Sequence, residues 1–388
     1  MSNSLAAHYS RFRVTERILL TGHSHQAWPD IAFEAQQRAW LDAAELVDDK
    51  WDRAFEQAAR VRAGFARLLG DAAENIALGQ NTHELVTRWL SALPFKTRRR
   101  IVTTTGEFHT VRRQLDRLAE EGVEIVRVPA RPVEELSERV GREVDDRTLA
   151  VMVSSVLFET AEIVPNLNRI AEACEAHGAA LLIDAYHHLN VVPFDVRTMG
   201  LERAFVTGGG YKYCQLGEGN CFLRVPPATR LRPVLTGWFA EFQALEAANR
   251  QPAAVSYPAG AAAFAGATYD PTSHYRAAAV FDFHAAQGLT ADRLRAISVH
   301  KVGLLETALA GLDLDPSKAR VVHMAPASRA GFLAIRSPHA TELARALRQS
   351  AVSADSRGDI LRLGPAPYVS DEQLQEAAAK LSRLITRV

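Results

Sequence analysis

The chain has 388 residues, 47% of them hydrophobic, with Lys plus Arg and Asp plus Glu equal at 45 each. That length exceeds what one hydrophobic core usually organises, so two domains are expected. The balanced charge offers no electrostatic case for nucleic acid or an anionic membrane and points to a small, roughly neutral substrate.

Cys174, Cys214 and Cys221 are odd in number and lack zinc-like pairing, which argues against a disulfide framework or a structural metal site and suits a reducing cytoplasm. The N-terminal MSNSLAAHYSRFR has no long apolar segment, and later apolar runs such as AALLIDA are far too short to span a bilayer. A soluble, unexported protein is expected. Residues 31 to 69 repeat apolar positions at three and four, which predicts helix. The strand-like runs NIALG, RRIVTTT, EIVRVPA, LAVMVSS and AALLIDA follow, separated by the helical stretches THELVTRWLSAL, TVRRQLDRLAEEG and LNRIAEACEAHG. The last two end in glycine, as helix C-termini often do. This alternation predicts a mostly parallel sheet covered by helices on both faces, with ligands at the carboxyl ends of its strands. From about residue 227 the pattern changes. ADRLRAISVHKVGLLETALAGL and DEQLQEAAAKLSRLITRV read as amphipathic helices, with GFLAIRS and DILRLG as strands, giving a smaller α+β domain.

Residues with candidate chemistry fall at strand ends. Asp184 closes AALLIDA, where a buried carboxylate needs a cation or donor, or else caps the next helix. The next run, ERAFVTGGGYKY, ends in Lys212, so two successive strand ends present an acid and an amine to one cleft. A lysine with its usual pKa near ~10.4 is non-nucleophilic at pH 7, and desolvation lowers that value and opens Schiff-base chemistry. A pyridoxal phosphate site needs a lysine, a carboxylate, a phosphate cradle and something flat against the ring. Asn81, Thr82 and His83 open a helix after NIALG, either as an anion cradle or as an ordinary N-cap. Phe108 and His109 follow IVTTT and a glycine, where an aromatic serves either the core or a cofactor face. The triple glycine does not make a Walker loop, because Tyr213 follows Lys212, and GEGNCF does not satisfy the dinucleotide fingerprint.

Taken in order along nearly the whole chain, these residues resemble the fold type I pyridoxal phosphate enzymes and, within them, the kynureninase family. LLTGHSHQAWP loosely matches the family's opening Asn-Ser-Leu-Gly segment. Asp184, His187 and VPFD match its Asp-x-x-His and Val-Pro-x-Asp elements, and Tyr211, Lys212 and Tyr213 its Tyr-Lys-Tyr motif. Gly237, Trp238 and Phe239 match a Gly-Trp-Phe segment, and RLGPAP, with Arg362, matches the C-terminal Arg-Phe-Gly-x-x-Pro pattern.

The resemblance implies the fold type I transferase architecture, a large domain with a mostly parallel sheet plus a smaller α+β domain. Residues 1–30 form an N-terminal segment packing on the small domain, 31–275 the large cofactor-binding domain and 276–388 the small domain. It implies pyridoxal 5'-phosphate, with Lys212 bonding the cofactor aldehyde and moving the Cα proton, and Asp184 on the pyridinium nitrogen with His187 beside the ring. Thr82, His83 and Tyr211 are implied at the phosphate, Phe108 stacked on the ring, and Ser154 lining the pocket. Trp238 and Thr268 are implied to reach the neighbouring subunit's phosphate, hence a homodimer. Arg362 is implied to clamp the substrate carboxylate, with His23 and Ser24 also at the substrate. The sequence departs from the family where Asn-Ser-Leu-Gly becomes HSHQ, with His23, Ser24 and His25. It departs again where Phe-Pro-x-Asp becomes FHTV, with His109 and Val111, and where Tyr269 and Asp270 follow Gly266. The implied activity on an L-amino acid is hydrolytic Cβ–Cγ cleavage giving alanine and an aromatic acid; a class V aminotransferase, C–S lyase or epimerase is the alternative. Desulfuration fits less well, because no cysteine follows Cys221.

Overall fold

In the computed structural model, which describes residues 4–244, 255–312 and 314–388, the alternating apolar runs become alternating strands and helices. A two-residue strand β1 (Ile18–Leu19) precedes α1 (Ile31–Leu46) and α2 (Lys50–Leu69). Then come β2 (Ile76–Gly79), α3 (Thr82–Ser91), β3 (Arg100–Thr104), α4 (His109–Glu120), β4 (Glu124–Val128), α5 (Leu136–Arg142) and β5 (Thr148–Ser154). After α6 (Leu167–Ala176) lie β6 (Ala180–Asp184), β7 (Phe205–Gly209) and β8 (Cys221–Arg224). The remainder is α7 (Thr272–Ala286), α8 (Ala291–Ala310), β9 (Arg320–Val321), β10 (Leu333–Arg336), α9 (Ala340–Gln349), β11 (Val352–Ser353), β12 (Asp355–Arg357), β13 (Ile360–Leu363) and α10 (Asp371–Ile385).

The large sheet has the order β2-β8-β7-β6-β5-β3-β4. Strands β4, β3, β5, β6 and β7 run parallel, while β8 is antiparallel to both β2 and β7. Side chains alternate between its faces, as the pleat requires. Val151, Val153, Ile183 and Val206 meet Phe65 of α2, Leu136 of α5, Ile170 of α6 and Val280 of α7. Ala150, Met152, Leu182 and Phe205 meet Leu85 and Trp89 of α3 and Leu115 of α4. Both faces are therefore buried, and the strands read as near-continuous apolar runs.

Two sequence expectations are refined. The helical stretch 31–69 is two helices, broken after Leu46 at Val47, whose φ is 52°. Strand β8 lies in NCFLRV, where four residues behind a glycine-rich loop carry too little periodicity to announce a strand. Helix α2 stops at Gly70, in the left-handed region at φ 62°, where any Cβ would also strike the Asp195 carboxylate.

A second core holds α8, α9, α10 and the antiparallel sheet β12-β13-β10-β9. Tyr9, Val14, Ile18 and Leu20 belong to this core, and β1 pairs in parallel with β11. The boundary at 275/276 falls inside α7, whose Ala277, Ala278, Val280 and Phe281 pack into the core of the large sheet. Among the described residues no helix is long and apolar enough to cross a membrane.

Behind the sheet, Arg224 of β8 and Asp71 form a buried ion pair, Nε to Oδ2 2.5 Å, and the guanidinium also donates to the carbonyls of Glu202 and Ala204 at 2.7 Å. Burial pushes the Asp71 carboxyl up, but Arg224, the Ala72 N–H and the Asn75 amide together hold it below its ordinary value. Asp71→Ala strands the buried guanidinium, so it should cost about 3 kcal/mol and lower the thermal midpoint. Scanning calorimetry of the two proteins checks this; an unchanged midpoint would show the pair to be energetically idle.

Candidate active site

Two neighbouring parallel strands set the position of the acid. Ser154 ends β5 directly opposite Asp184, which ends β6, and Asp184 in turn faces Thr207 of β7. Asp184 Oδ1 accepts the main-chain N–H of Tyr186 at 2.9 Å. Beyond β7 the chain turns through Gly210 and Tyr211 to place Lys212 over the same strand ends. A cavity of about 260 Å³ opens there, lined by Asp184, Lys212, His187, Ser154, Phe108 and Tyr211, with Thr82 and His83 at its rim.

Lys212 is 5% exposed, and its Nζ lies 2.5 Å from His187 Nε2. Burial lowers the amine to about 7; Asp184 opposes the shift and Arg362 adds to it. Burial also pushes His187 well below its usual range, helped by Lys212 and Arg362, so the imidazole is neutral where its Nε2 meets the amine. His187 Nδ1 is buried with no partner. Burial raises the Asp184 carboxyl, while the Tyr186 N–H and Lys212 pull it back down. The Lys212 Nζ sits 5.4 Å from the Phe108 ring centroid and 4.7 Å from that of Tyr186, so the amine is bracketed by two aromatic rings.

At the rim, Asn81 is the N-cap of α3, its side chain accepting from the Glu84 N–H, and Thr82 is the first helical residue. The Tyr211 ring stacks on His25, centroids 4.8 Å apart and 18° from parallel. The exposed His109 is 5.2 Å from the Phe108 ring. Val111, in place of the family's aspartate, is buried on α4 in the core that holds Leu85 and Trp89 of α3.

Other expected residues do not line this cavity. Trp238 Nε1 donates to Thr268 Oγ1 at 3.3 Å, so these two meet each other on an exposed surface and do not line the cavity of this chain. Arg362 is buried and already engaged: Nε and Nη2 reach the Asp355 oxygens at 2.9 and 2.5 Å, and Nη1 donates to the Phe158 carbonyl at 2.7 Å. His23 Nε2 closes on Asp355 Oδ1 at 2.7 Å, and burial drops this histidine to about 4. The Asp355 carboxyl is held well below its usual value because His23 and Arg362 outweigh its desolvation. Ser24 contacts His25 Nδ1 at 3.1 Å.

Sequence reasoning passed over Glu107. Its carboxylate is buried between Thr104 Oγ1 and Ser154 Oγ, each 2.6 Å away, and takes the Ser154 N–H at 3.2 Å. The signal was present in TTTGEF, a carboxylate just past an apolar strand, the same pattern that marks Asp184. Burial raises Glu107 to about 7, against the hydrogen bonds of Ser154 and Thr104 and with a contribution from Asp184. An acid whose folded pKa lies above its unfolded value contributes stability at low pH that is lost as pH climbs through the interval, here from about 4.5 to about 7. Glu107→Gln should remove this slope, gaining stability relative to wild type by roughly 3 kcal/mol at pH 8 and nothing at pH 4. Thermal midpoints measured across that range test it; parallel curves for the two proteins would contradict it.

The C-terminal part of the chain, residues 294–381, matches the kynureninase C-terminal domain. Along its length the chain is similar to a kynureninase of Deinococcus radiodurans, 27% identical over 90% of this chain and 82% of that protein. It is likewise similar to an uncharacterised aminotransferase, YcbU, of Bacillus subtilis, 24% identical over 88% of each chain. Among solved structures it superposes on a form of C-DES with glycine covalently linked to its pyridoxal phosphate, at TM-score 0.83 and 16% identity, covering 97% of this chain and 98% of that one. A cysteine desulfurase of Thermococcus onnurineus gives a TM-score of 0.81 at 17% identity, with 96% of each chain covered. Fold, sequence relatives and C-terminal match agree: the chain has the fold of these pyridoxal phosphate enzymes and is similar in sequence to a kynureninase and an aminotransferase.

Proposed function

We propose that this chain is a pyridoxal phosphate-dependent enzyme acting on an L-amino acid, with kynureninase-like hydrolysis of a Cβ–Cγ bond as its reaction. The observation that carries the cofactor assignment is the Lys212 amine. It is buried, lowered to about 7 and touching His187 in a cavity that also holds Asp184. The residues present suit the group: an amine for the aldehyde, a carboxylate for the ring nitrogen, and an unpartnered buried His187 Nδ1 beside them. The head of α3 at Thr82, with Tyr211, suits the phosphate.

When bound, the cofactor supplies an electron-withdrawing ring that stabilises negative charge at the substrate Cα. The chain's own residues do the rest. Asp184 would hold the ring nitrogen, and Phe108 would cover one face of the ring from the cavity wall. Neutral His187 shares a hydrogen bond with Lys212 Nζ and orients the amine, which burial brings to about 7 and so leaves able to receive the Cα proton. Because Lys212 is buried and lowered to about 7, it moves a proton at neutral pH without the penalty a surface lysine carries. Arg362, fixed by Asp355 and the Phe158 carbonyl, keeps two guanidinium N–H bonds for a substrate carboxylate.

Kynurenine as substrate draws support from the C-terminal domain match and from the Deinococcus radiodurans kynureninase. Transamination is a second reading, favoured by the similarity to YcbU over 88% of the chain. A panel of kynurenine, 3-hydroxykynurenine, cysteine and alanine separates them. Stoichiometric alanine and an aromatic acid from either kynurenine is the expected result. A keto acid formed in step with loss of the amino group would replace hydrolysis by transamination. A homodimer belongs to the same reading, since Trp238, Phe242, Val234 and Leu235 are exposed together with Thr268.

A further inference from the structure

The three glycines before Lys212 are left without a role by the reading above. Each makes room for a different side chain. A Cβ at Gly208 would come 3.0 Å from the Phe222 ring, and one at Gly210 would come 2.6 Å from Leu216, both core contacts. Gly209 differs, because its Cβ would fall on the Tyr186 hydroxyl, 2.6 Å from Tyr186 Cζ and 2.5 Å from Cys221 Sγ. Tyr186 and Cys221 both line the cavity. Tyr186 is 7% exposed and touches the site at three points. Its N–H orients Asp184, its ring lies 4.7 Å from Lys212 Nζ and 4.9 Å from the Tyr211 ring, and its hydroxyl reaches Cys221 Sγ at 3.7 Å. The side chain thus links the Lys212 amine to Cys221, whose thiol in turn meets the Thr82 main chain where α3 opens.

We propose that Tyr186 is a positioning residue for the cofactor: its ring floors the cavity opposite Phe108, its hydroxyl sets the polar end of the cavity beside Cys221 and Tyr211, and Gly209 is glycine in order to admit it. This rests on the cofactor reading above. A tyrosine here is costly unless used. Its polar end sits among buried groups, and its bulk forbids a side chain at Gly209. Burial keeps the phenol neutral, its pKa well above the ordinary value, so it acts as a donor and not as an anion. A neutral donor suits an anionic ligand group arriving at the head of α3.

The test follows the rate at which holoprotein loses pyridoxal phosphate on dilution, the visible circular dichroism of the bound cofactor, and the thermal midpoint of each variant. Tyr186→Phe should speed loss roughly tenfold with the dichroism kept. Tyr186→Ala should speed it roughly a hundredfold and weaken the dichroism, since ring and hydroxyl are both gone. Gly209→Ala should speed loss at least tenfold beside Tyr186 but less than about threefold in a Tyr186→Ala/Cys221→Ala background, because those two side chains fill the volume its Cβ would enter, and it should stay disruptive in Cys221→Ala alone. Variants that retain the cofactor as wild type does, or an equal Gly209→Ala effect in the wild-type and doubly substituted backgrounds, would overturn the inference. So would faster loss that merely tracks a lowered thermal midpoint, which would make Tyr186 a packing residue. Wild-type protein that takes up no pyridoxal phosphate overturns the cofactor reading and this inference together, whereas wild-type uptake with unaltered variants overturns only the inference.

Discussion

Lys212→Ala should abolish the visible absorbance that the wild-type protein acquires with pyridoxal phosphate and lower turnover by roughly 10³-fold or more. The size follows from two roles on one atom. Lys212 Nζ is the amine within the cavity that can bond an aldehyde, and it is the group beside His187 that is uncharged enough to accept a proton near pH 7. Truncation removes both. It leaves His187 Nε2 facing the vacated space, but a histidine held well below its usual pKa is a poor base, so it replaces little of what is lost. Turnover above a few per cent of wild type would mean the chemistry runs elsewhere.

Asp184→Asn should lower turnover by roughly 10²–10³-fold while leaving the protein folded. The amide is isosteric with the carboxylate, and its oxygen can still accept the Tyr186 N–H that now holds Oδ1 at 2.9 Å. What is lost is the negative charge that favours a protonated ring nitrogen. Asp184 also raises Lys212, so its removal should carry the lysine further down. Turnover and its acid limb should therefore move together, and the pH profile measured on both proteins checks this. An unchanged profile with full turnover would remove Asp184 from the chemistry.

Much of this site was legible because its residues occupy local landmarks. Asp184 and Lys212 follow apolar runs, Thr82 and Phe108 sit where strand gives way to helix, and those landmarks place all four around one cavity once the sheet is parallel. Tyr186 carries no such landmark, since nothing local says that a glycine twenty-three positions on is shaped around it. Asp355 escaped notice for a similar reason. It meets Arg362 because β12 and β13 pair with those two residues in register, and His23 reaches it from the far end of the chain. Glu107 was readable, yet its significance depends on Ser154 arriving from a strand more than forty residues later. Local pattern fixes where a residue sits in an element, and tertiary pairing fixes what it meets.

The most direct measurement is borohydride reduction of the protein after incubation with pyridoxal phosphate, followed by peptide mass mapping. The chain has lysines at 50, 96, 301, 318 and 380 besides Lys212, so the label can discriminate. A single phosphopyridoxyl group on Lys212 is the result expected here. Label on any other lysine, or none at all, would contradict it.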